Sequence, residues 1–200
     1  MRLQFPFILA LCFSTHLHAK PDKDLAVRLM NSGKIKESIE EFKKVSEEGD
    51  TIAMVTIGNF YYEGRGVSQN YVEAMNWYLR AYQANADALC NIGVLFRDGK
   101  GVKQNLQIAY CIFILIHMKG AGSADTQIRN GSNLKKTIAL LTQDEMKSAL
   151  CITEEYLEDY IKSRGNLPAD YSVKGQRFKD KNWWLPGELP KYDCPCATGK

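Results

Sequence analysis

Two glycine-rich turns with the same pattern recur 35 residues apart in this chain. The first is Gly64-Arg65-Gly66-Val67 and the second is Gly99-Lys100-Gly101-Val102. The residues around the turns match in pairs at the same spacing: Ala53 and Ala88, Ile57 and Ile92, Gly58 and Gly93, Asn70 and Asn105, and Ala74 and Ala109. A fixed period of this length is typical of stacked supersecondary units, because one unit cannot bury its apolar face alone. We therefore expect an all-α fold, a short right-handed solenoid of stacked antiparallel helix pairs.

The repeat predicts a helical domain over residues 22–164, in four units of about 22–50, 51–85, 86–120 and 121–164. In the best-formed unit, apolar residues four apart place one face of the first helix in the core. Glycine tolerates the positive φ that the turns between helices require, which explains Gly64, Gly66, Gly99 and Gly101. The last unit lacks such a turn. Instead, Thr142 and Glu145 form a capping box, which predicts a final helix that runs to about Arg164 and caps the array.

The two ends of the chain differ from the repeats. Residues 1–19 contain Arg2, the apolar run Phe5–Phe13 and the small residue Ala19, in the order found in a cleaved export signal. A lipid anchor on Cys12 is disfavoured because Leu11 stands where a small residue is expected. We therefore expect a periplasmic or secreted protein without a membrane span. Residues 165–200 contain prolines, which forbid a regular helix, and many aromatic residues. This tail is expected to dock on the array or on a partner.

Charge and motifs argue against several function classes. The chain has 26 basic and 23 acidic residues, a balance that gives no indication of nucleic-acid binding. After residue 19 the only histidine is His117, which lies outside any HExxH or nucleophile-elbow motif. Zinc normally needs four Cys or His ligands. We therefore expect no catalytic residue, no cofactor and no metal.

Five cysteines follow residue 19, and an odd number leaves at least one thiol unpaired. Cys111 and Cys151 fall in predicted helices that could be neighbours, so this pair is the first candidate disulfide. Cys194 and Cys196 flank Pro195 in the tail. Their simplest role is a structural disulfide, and the alternative is a redox or metal pair.

The string of repeated residues from Ala53 to Ala81 resembles the Sel-1-like repeat, a relative of the tetratricopeptide repeat. The resemblance covers about residues 22–163 and is specific over 51–118, although Ile112 and Ile116 stand where Trp and Ala are usual. It implies a non-enzymatic adaptor that binds another protein. Exported bacterial members serve in envelope assembly, in host contact or as immunity proteins that neutralise secreted toxins.

In stacked helix pairs of this type, the first helix of each unit lines the inner surface. The predicted partner-binding residues on these helices are Thr56, Asn59, Phe60, Glu63, Asn91, Leu95 and Asp98. Phe60 and Leu95 would supply the apolar centre of an interface with a polar rim; alternatively, both pack against a neighbouring helix or the tail. The leading functional hypothesis is a non-catalytic scaffold of the periplasm or envelope. The alternatives are a toxin-neutralising immunity protein and a thiol-active protein that uses Cys194 and Cys196.

Overall fold

A computed structural model describes residues 21–150 together with Leu157, Ile161 and Lys162. Within this part of the chain all regular structure is helical, in eight α-helices. They are α1 (Lys23–Asn31), α2 (Ile35–Glu47), α3 (Thr51–Glu63), α4 (Tyr71–Ala81), α5 (Ala86–Asp98), α6 (Leu106–Lys119), α7 (Ala124–Ile138) and α8 (Gln143–Ala149). The predicted all-α fold is confirmed.

Both ends of the central helices follow from the repeated residues. Asn70 and Asn105 occupy equivalent positions and accept hydrogen bonds from the first backbone N–H groups of α4 and α6. Such caps satisfy donors that a helix leaves without a partner. Gly64 ends α3 at a φ of 69° and Gly99 ends α5 at 66°, the left-handed conformation that favours glycine.

Glycine also sets the distance between paired helices. A Cβ atom on Gly58 of α3 would lie 2.4 Å from a ring carbon of Tyr78 in α4. The equivalent atom on Gly93 of α5 would lie 2.6 Å from the ring of Phe113 in α6. A side chain at either position would therefore push the two helices of a pair apart.

The second glycine of each turn joins one pair to the pair before it. A Cβ on Gly66 would lie 2.5 Å from the side chain of Ile35, the first residue of α2. A Cβ on Gly101 would lie 2.8 Å from the backbone of Tyr71, the first residue of α4. The turn of each unit thus rests on the start of the second helix of the preceding unit.

The buried apolar residues of the described part form two clusters. The smaller one joins α1, α2 and α3 and includes Phe42 and Phe60. The larger one joins α3 to α6 and also contains Leu157 and Ile161. Tyr61 and Trp77 pack against both clusters, so the core runs along the stack, as the repeat period predicts.

The last unit differs from the prediction in one respect. The capping box of Thr142 and Glu145 starts α8 as predicted, but the helix ends at Ala149 rather than near Arg164. The Ala149 carbonyl accepts a hydrogen bond from the Cys111 thiol of α6, with a sulfur–oxygen distance of 3.0 Å. The last carbonyls of a helix have no partner within it, so this contact with α6 stabilises the early end. Leu157, Ile161 and Lys162 are helical again.

Several predictions lie outside the described residues: the export signal, the tail, and three of the four cysteines proposed for disulfides. The limits of the four units also stay a prediction. Among the described helices, none has the length and apolar character needed to cross a membrane.

Candidate functional site

An exposed strip runs along α3 between two buried flanks. Ile52, Thr56, Asn59 and Glu63 are spaced by three or four residues, so they share one helix face. Ile52 is 58% exposed, and the other three also retain contact with solvent. The equivalent residues of α5 are Asp87, Asn91, Val94 and Asp98, none of which is buried. We call these eight residues the α3–α5 stripe.

Five of the seven predicted binding residues lie in this stripe, but Phe60 and Leu95 do not. Phe60 is 2% exposed, and its ring centroid lies 6.4 Å from that of Phe42 in α2. Leu95 is fully buried in the larger cluster. The predicted apolar centre is therefore wrong, and the alternative of packing against neighbouring helices is the observed one. The physical reason is that α3 and α5 each pack against the preceding unit as well as their own pair.

A polar network fixes the middle of the stripe. The Asn59 amide oxygen accepts hydrogen bonds from the Tyr78 hydroxyl at 2.8 Å and from the Asn91 amide nitrogen at 3.1 Å. These contacts join α3, α4 and α5. Burial raises the pKa of Tyr78 well above its ordinary value, so its hydroxyl stays protonated and remains a donor. The orientation of Asn59 and Asn91 at the surface is therefore set before any partner arrives.

One end of the stripe is charged. Asp98 pairs with Arg97 at 2.6 Å and lies 3.7 Å from the Lys100 ammonium. Lys100 also donates a hydrogen bond to the Tyr62 hydroxyl at 2.8 Å, and this contact raises the pKa of Lys100. Glu63, the equivalent of Asp98 one unit earlier, forms no ion pair with any described residue. It is therefore an acidic group open to a partner.

The other end of the stripe is tied to α7. The Asp87 carboxylate accepts a hydrogen bond from the Thr126 hydroxyl at 2.7 Å and pairs with Arg129. Arg97, next to the stripe, donates to the Asn133 amide oxygen at 2.8 Å. The α5 half of the stripe is thus held by polar contacts with α7.

A separate groove lies beside α2. Its volume is about 410 Å³, with Ile39, Tyr61 and Val67 among its apolar lining residues. Charged side chains of α2 also line it: Lys36, Glu37, Glu40 and Lys43. Lys43 and Glu40 pair with each other at 2.8 Å. The groove is large enough for a side chain of a partner, but its charges largely compensate each other.

The two described cysteines are poor reactive groups. Burial raises the pKa of the Cys111 thiol to about 12 and also raises that of Cys90. Both therefore stay protonated near neutral pH, whereas nucleophiles and metal ligands are thiolates. Both thiols are free, so the structure does not bear out the predicted disulfide between Cys111 and Cys151. In the described part of the chain, no group of three or more His, Cys, Asp or Glu residues could hold a metal ion.

Comparison with known proteins identifies the repeated unit. The Sel1 repeat profile matches residues 51–85 and 86–110. A similar solved structure is c5321, described as a protective antigen present in uropathogenic Escherichia coli strains displaying an SLR fold. The TM-score is 0.57 at 22% identity, over 78% of this chain and 34% of that one. This chain thus spans about a third of the length of c5321, and the similarity shows a shared fold.

A second similar structure is a Sel1 repeat protein from Oxalobacter formigenes. It has a TM-score of 0.42 at 21% identity, over 72% of this chain and 73% of that one. No curated protein matches this sequence significantly.

Proposed function

Because residues 51–110 are Sel1 repeats, which generally mediate contacts between proteins, we propose that this chain is a non-catalytic scaffold that binds another protein through the α3–α5 stripe. The observation that carries this proposal is the stripe itself: equivalent positions on α3 and α5, the first helices of two consecutive units, keep contact with solvent while both flanks are buried. A partner that spans both helices would contact two units at once.

The groups of the stripe suit a protein surface. Ile52 and Val94 are apolar, Asn59 and Asn91 offer fixed hydrogen-bonding groups, and Glu63 is an exposed acidic residue with no ion pair among the described residues. Groups already held in place lose little conformational freedom on binding, which favours affinity. We expect the partner to place a basic side chain near Glu63.

The proposed location is the periplasm or the medium, on the evidence of residues 1–19 alone, so an envelope protein is the first partner class. An immunity protein would use the same stripe on a toxin, and the identity of the bound protein distinguishes the two. For the thiol hypothesis, the protonated state of Cys90 and Cys111 argues against these two residues. Cys194 and Cys196 lie outside the described residues.

The test compares two matched double variants of the full chain. Ile52→Arg with Glu63→Arg changes the stripe, whereas Val72→Arg with Glu47→Arg changes one exposed apolar and one exposed acidic residue elsewhere. Proteins captured from a periplasmic extract are identified by mass spectrometry, and binding is then measured with purified components. We expect the stripe variant to lose the partner and the control to retain it. Equal binding by both variants would refute the assignment.

A further inference from the structure

Two acidic residues of the α3–α5 stripe occupy equivalent positions but have different surroundings. Glu63 is the last residue of α3, and Asp98 is the last residue of α5. Both residues are exposed. A partner could therefore meet a carboxylate on either helix, and the neighbouring basic residues decide which of the two carboxylates is open.

Asp98 is closed by two basic side chains. Its carboxylate lies 2.6 Å from the Arg97 guanidinium and 3.7 Å from the Lys100 ammonium. Arg97 also donates a hydrogen bond to Asn133 of α7, and Lys100 donates one to the Tyr62 hydroxyl of α3. Since each basic group is held by a second contact, the charge of Asp98 is compensated within the chain.

The equivalent positions around Glu63 do not provide such pairs. Tyr62, which precedes Glu63, carries no positive charge, whereas the equivalent residue of the next unit is an arginine. Arg65 is the equivalent of Lys100, but its guanidinium lies over the Phe60 ring, 5.7 Å from the ring centroid. Among the described residues, neither Arg65 nor Glu63 has an ion pair. The carboxylate of Glu63 is therefore open.

The other acidic residue of the stripe is also compensated. Asp87, near the start of α5, accepts a hydrogen bond from Thr126 and pairs with Arg129 of α7. Its equivalent in α3 is Ile52, which is apolar and largely exposed. Both carboxylates on the α5 side are thus compensated, whereas the α3 side has an exposed apolar group at one end and an open carboxylate at the other.

The spacing of these two groups on α3 gives the chemistry of the partner. Ile52 and Glu63 are eleven residues apart on one helix, a distance of about 16 Å. We propose that the stripe accepts a protein surface with an apolar and a basic side chain at this spacing, and that Glu63 is its only acceptor for the basic group. This inference rests on the function proposed above. Arg97 and Lys100 determine specificity, because they would repel a second basic group that approaches Asp98.

Two small nitroxide probes, cationic aminomethyl-PROXYL and anionic carboxy-PROXYL, test the proposal without a partner. Each probe speeds the NMR relaxation of nearby protons in proportion to its local concentration, which is read at the side-chain CH2 groups of Glu63 and Asp98 in the full chain. An open carboxylate should make the ratio of cationic to anionic effect about twofold higher at Glu63 than at Asp98. Glu63→Gln should remove this difference. The double variant Arg97→Gln, Lys100→Gln should raise the ratio at Asp98 to that of Glu63.

Equal ratios at Glu63 and Asp98 in the wild type would overturn the proposal, whether or not the double variant folds. Binding of the protein captured in the test above gives a second readout. Glu63→Gln should weaken this binding about tenfold and reduce its salt dependence, whereas Asp98→Asn should change it by less than about twofold. Equal weakening by both variants would contradict the inference.

Failure of the proposed function would give a different result. The double variant Ile52→Arg, Glu63→Arg would then capture the same proteins as the wild type. The inferred partner chemistry would fall with that function, while unequal nitroxide ratios would still show the difference between the two carboxylates.

Discussion

Replacement of Gly58 by alanine tests the close packing of α3 on α4. In an open helix this change stabilises by about 1 kcal/mol, since glycine is the poorer helix former. At Gly58, however, the new methyl group would lie 2.4 Å from a ring carbon of Tyr78, far inside van der Waals contact at about 3.5–4.0 Å. The ring cannot yield easily, because it is 1% exposed and its hydroxyl is bonded to Asn59.

The sizes of these two opposing effects decide whether Gly58→Ala stabilises or destabilises the protein. Overpacking of a well-packed core costs typically 1–3 kcal/mol, and an overlap of more than 1 Å belongs near the upper end. Subtraction of the gain in helix propensity leaves a net loss of about 2 kcal/mol. For a chain of this length, that corresponds to a melting temperature lower by about 4–8 °C.

The chain offers a matched control in Gly131 of α7. A Cβ at this position would meet nothing within 4 Å, so Gly131→Ala should stabilise by about 1 kcal/mol. Both variants are compared with the wild type by urea unfolding and by thermal melting, followed by circular dichroism. A Gly58→Ala protein as stable as the wild type would refute the argument that glycine is needed for the close approach of α3 and α4.

Three further predictions follow from buried groups. Phe60→Ala should cost about 3–5 kcal/mol of unfolding free energy, whereas Ile52→Ala on the exposed stripe should change it by less than about 0.5 kcal/mol; equal effects in urea titrations would contradict the burial of Phe60. Asn130→Leu should raise stability by about 1 kcal/mol, because it removes a buried acceptor without a partner among the described residues at the cost of one hydrogen bond; a lower melting temperature would show that the amide oxygen has a partner. Burial raises the pKa of Cys111 from 9.0 to about 12, so the unfolded chain loses this proton first and stability should fall as pH rises above about 9. Cys111→Ser should weaken that fall in unfolding measurements between pH 8 and 11, and an unchanged pH profile would count against the raised thiol pKa.

The helix boundaries that the sequence predicts are those set by the conformational or hydrogen-bonding preference of a single residue. Gly64 and Gly99 end their helices because the left-handed backbone favours glycine. Asn70 and Asn105 start the next helices because their side chains accept backbone hydrogen bonds. Such local requirements recur in the two central units, so the period of the sequence is enough to place them there.

The candidate site was only partly predictable because burial depends on neighbouring units. The face of α3 opposite Ala53 and Ile57 was expected to be open, yet Phe60 on that side packs against α2. The sequence of one unit does not show how far the preceding unit covers it. The sequence does not indicate that Ile52 is exposed, because isoleucine is usually a core residue.

The last unit shows a second limit of sequence analysis. The capping box correctly predicts the start of α8. The helix ends at Ala149, however, without a glycine or proline that would predict its end. The outward position of Ile128 in α7 likewise contradicts the ordinary preference of isoleucine for the interior. Both features depend on contacts outside the segment in which they occur.

Gly66 packs closely on Ile35, and Gly101 packs closely on Tyr71. These contacts have a consequence for how repeat units can be added to such a chain. Each block of the 51–85 type carries both halves of a joint: the glycine that fits the block before it and the helix start that receives the glycine of the block after it. Tandem duplication therefore creates a working joint without any new mutation. The pair α7 and α8 has no glycine between its helices, so duplication of that pair would not carry the same joint.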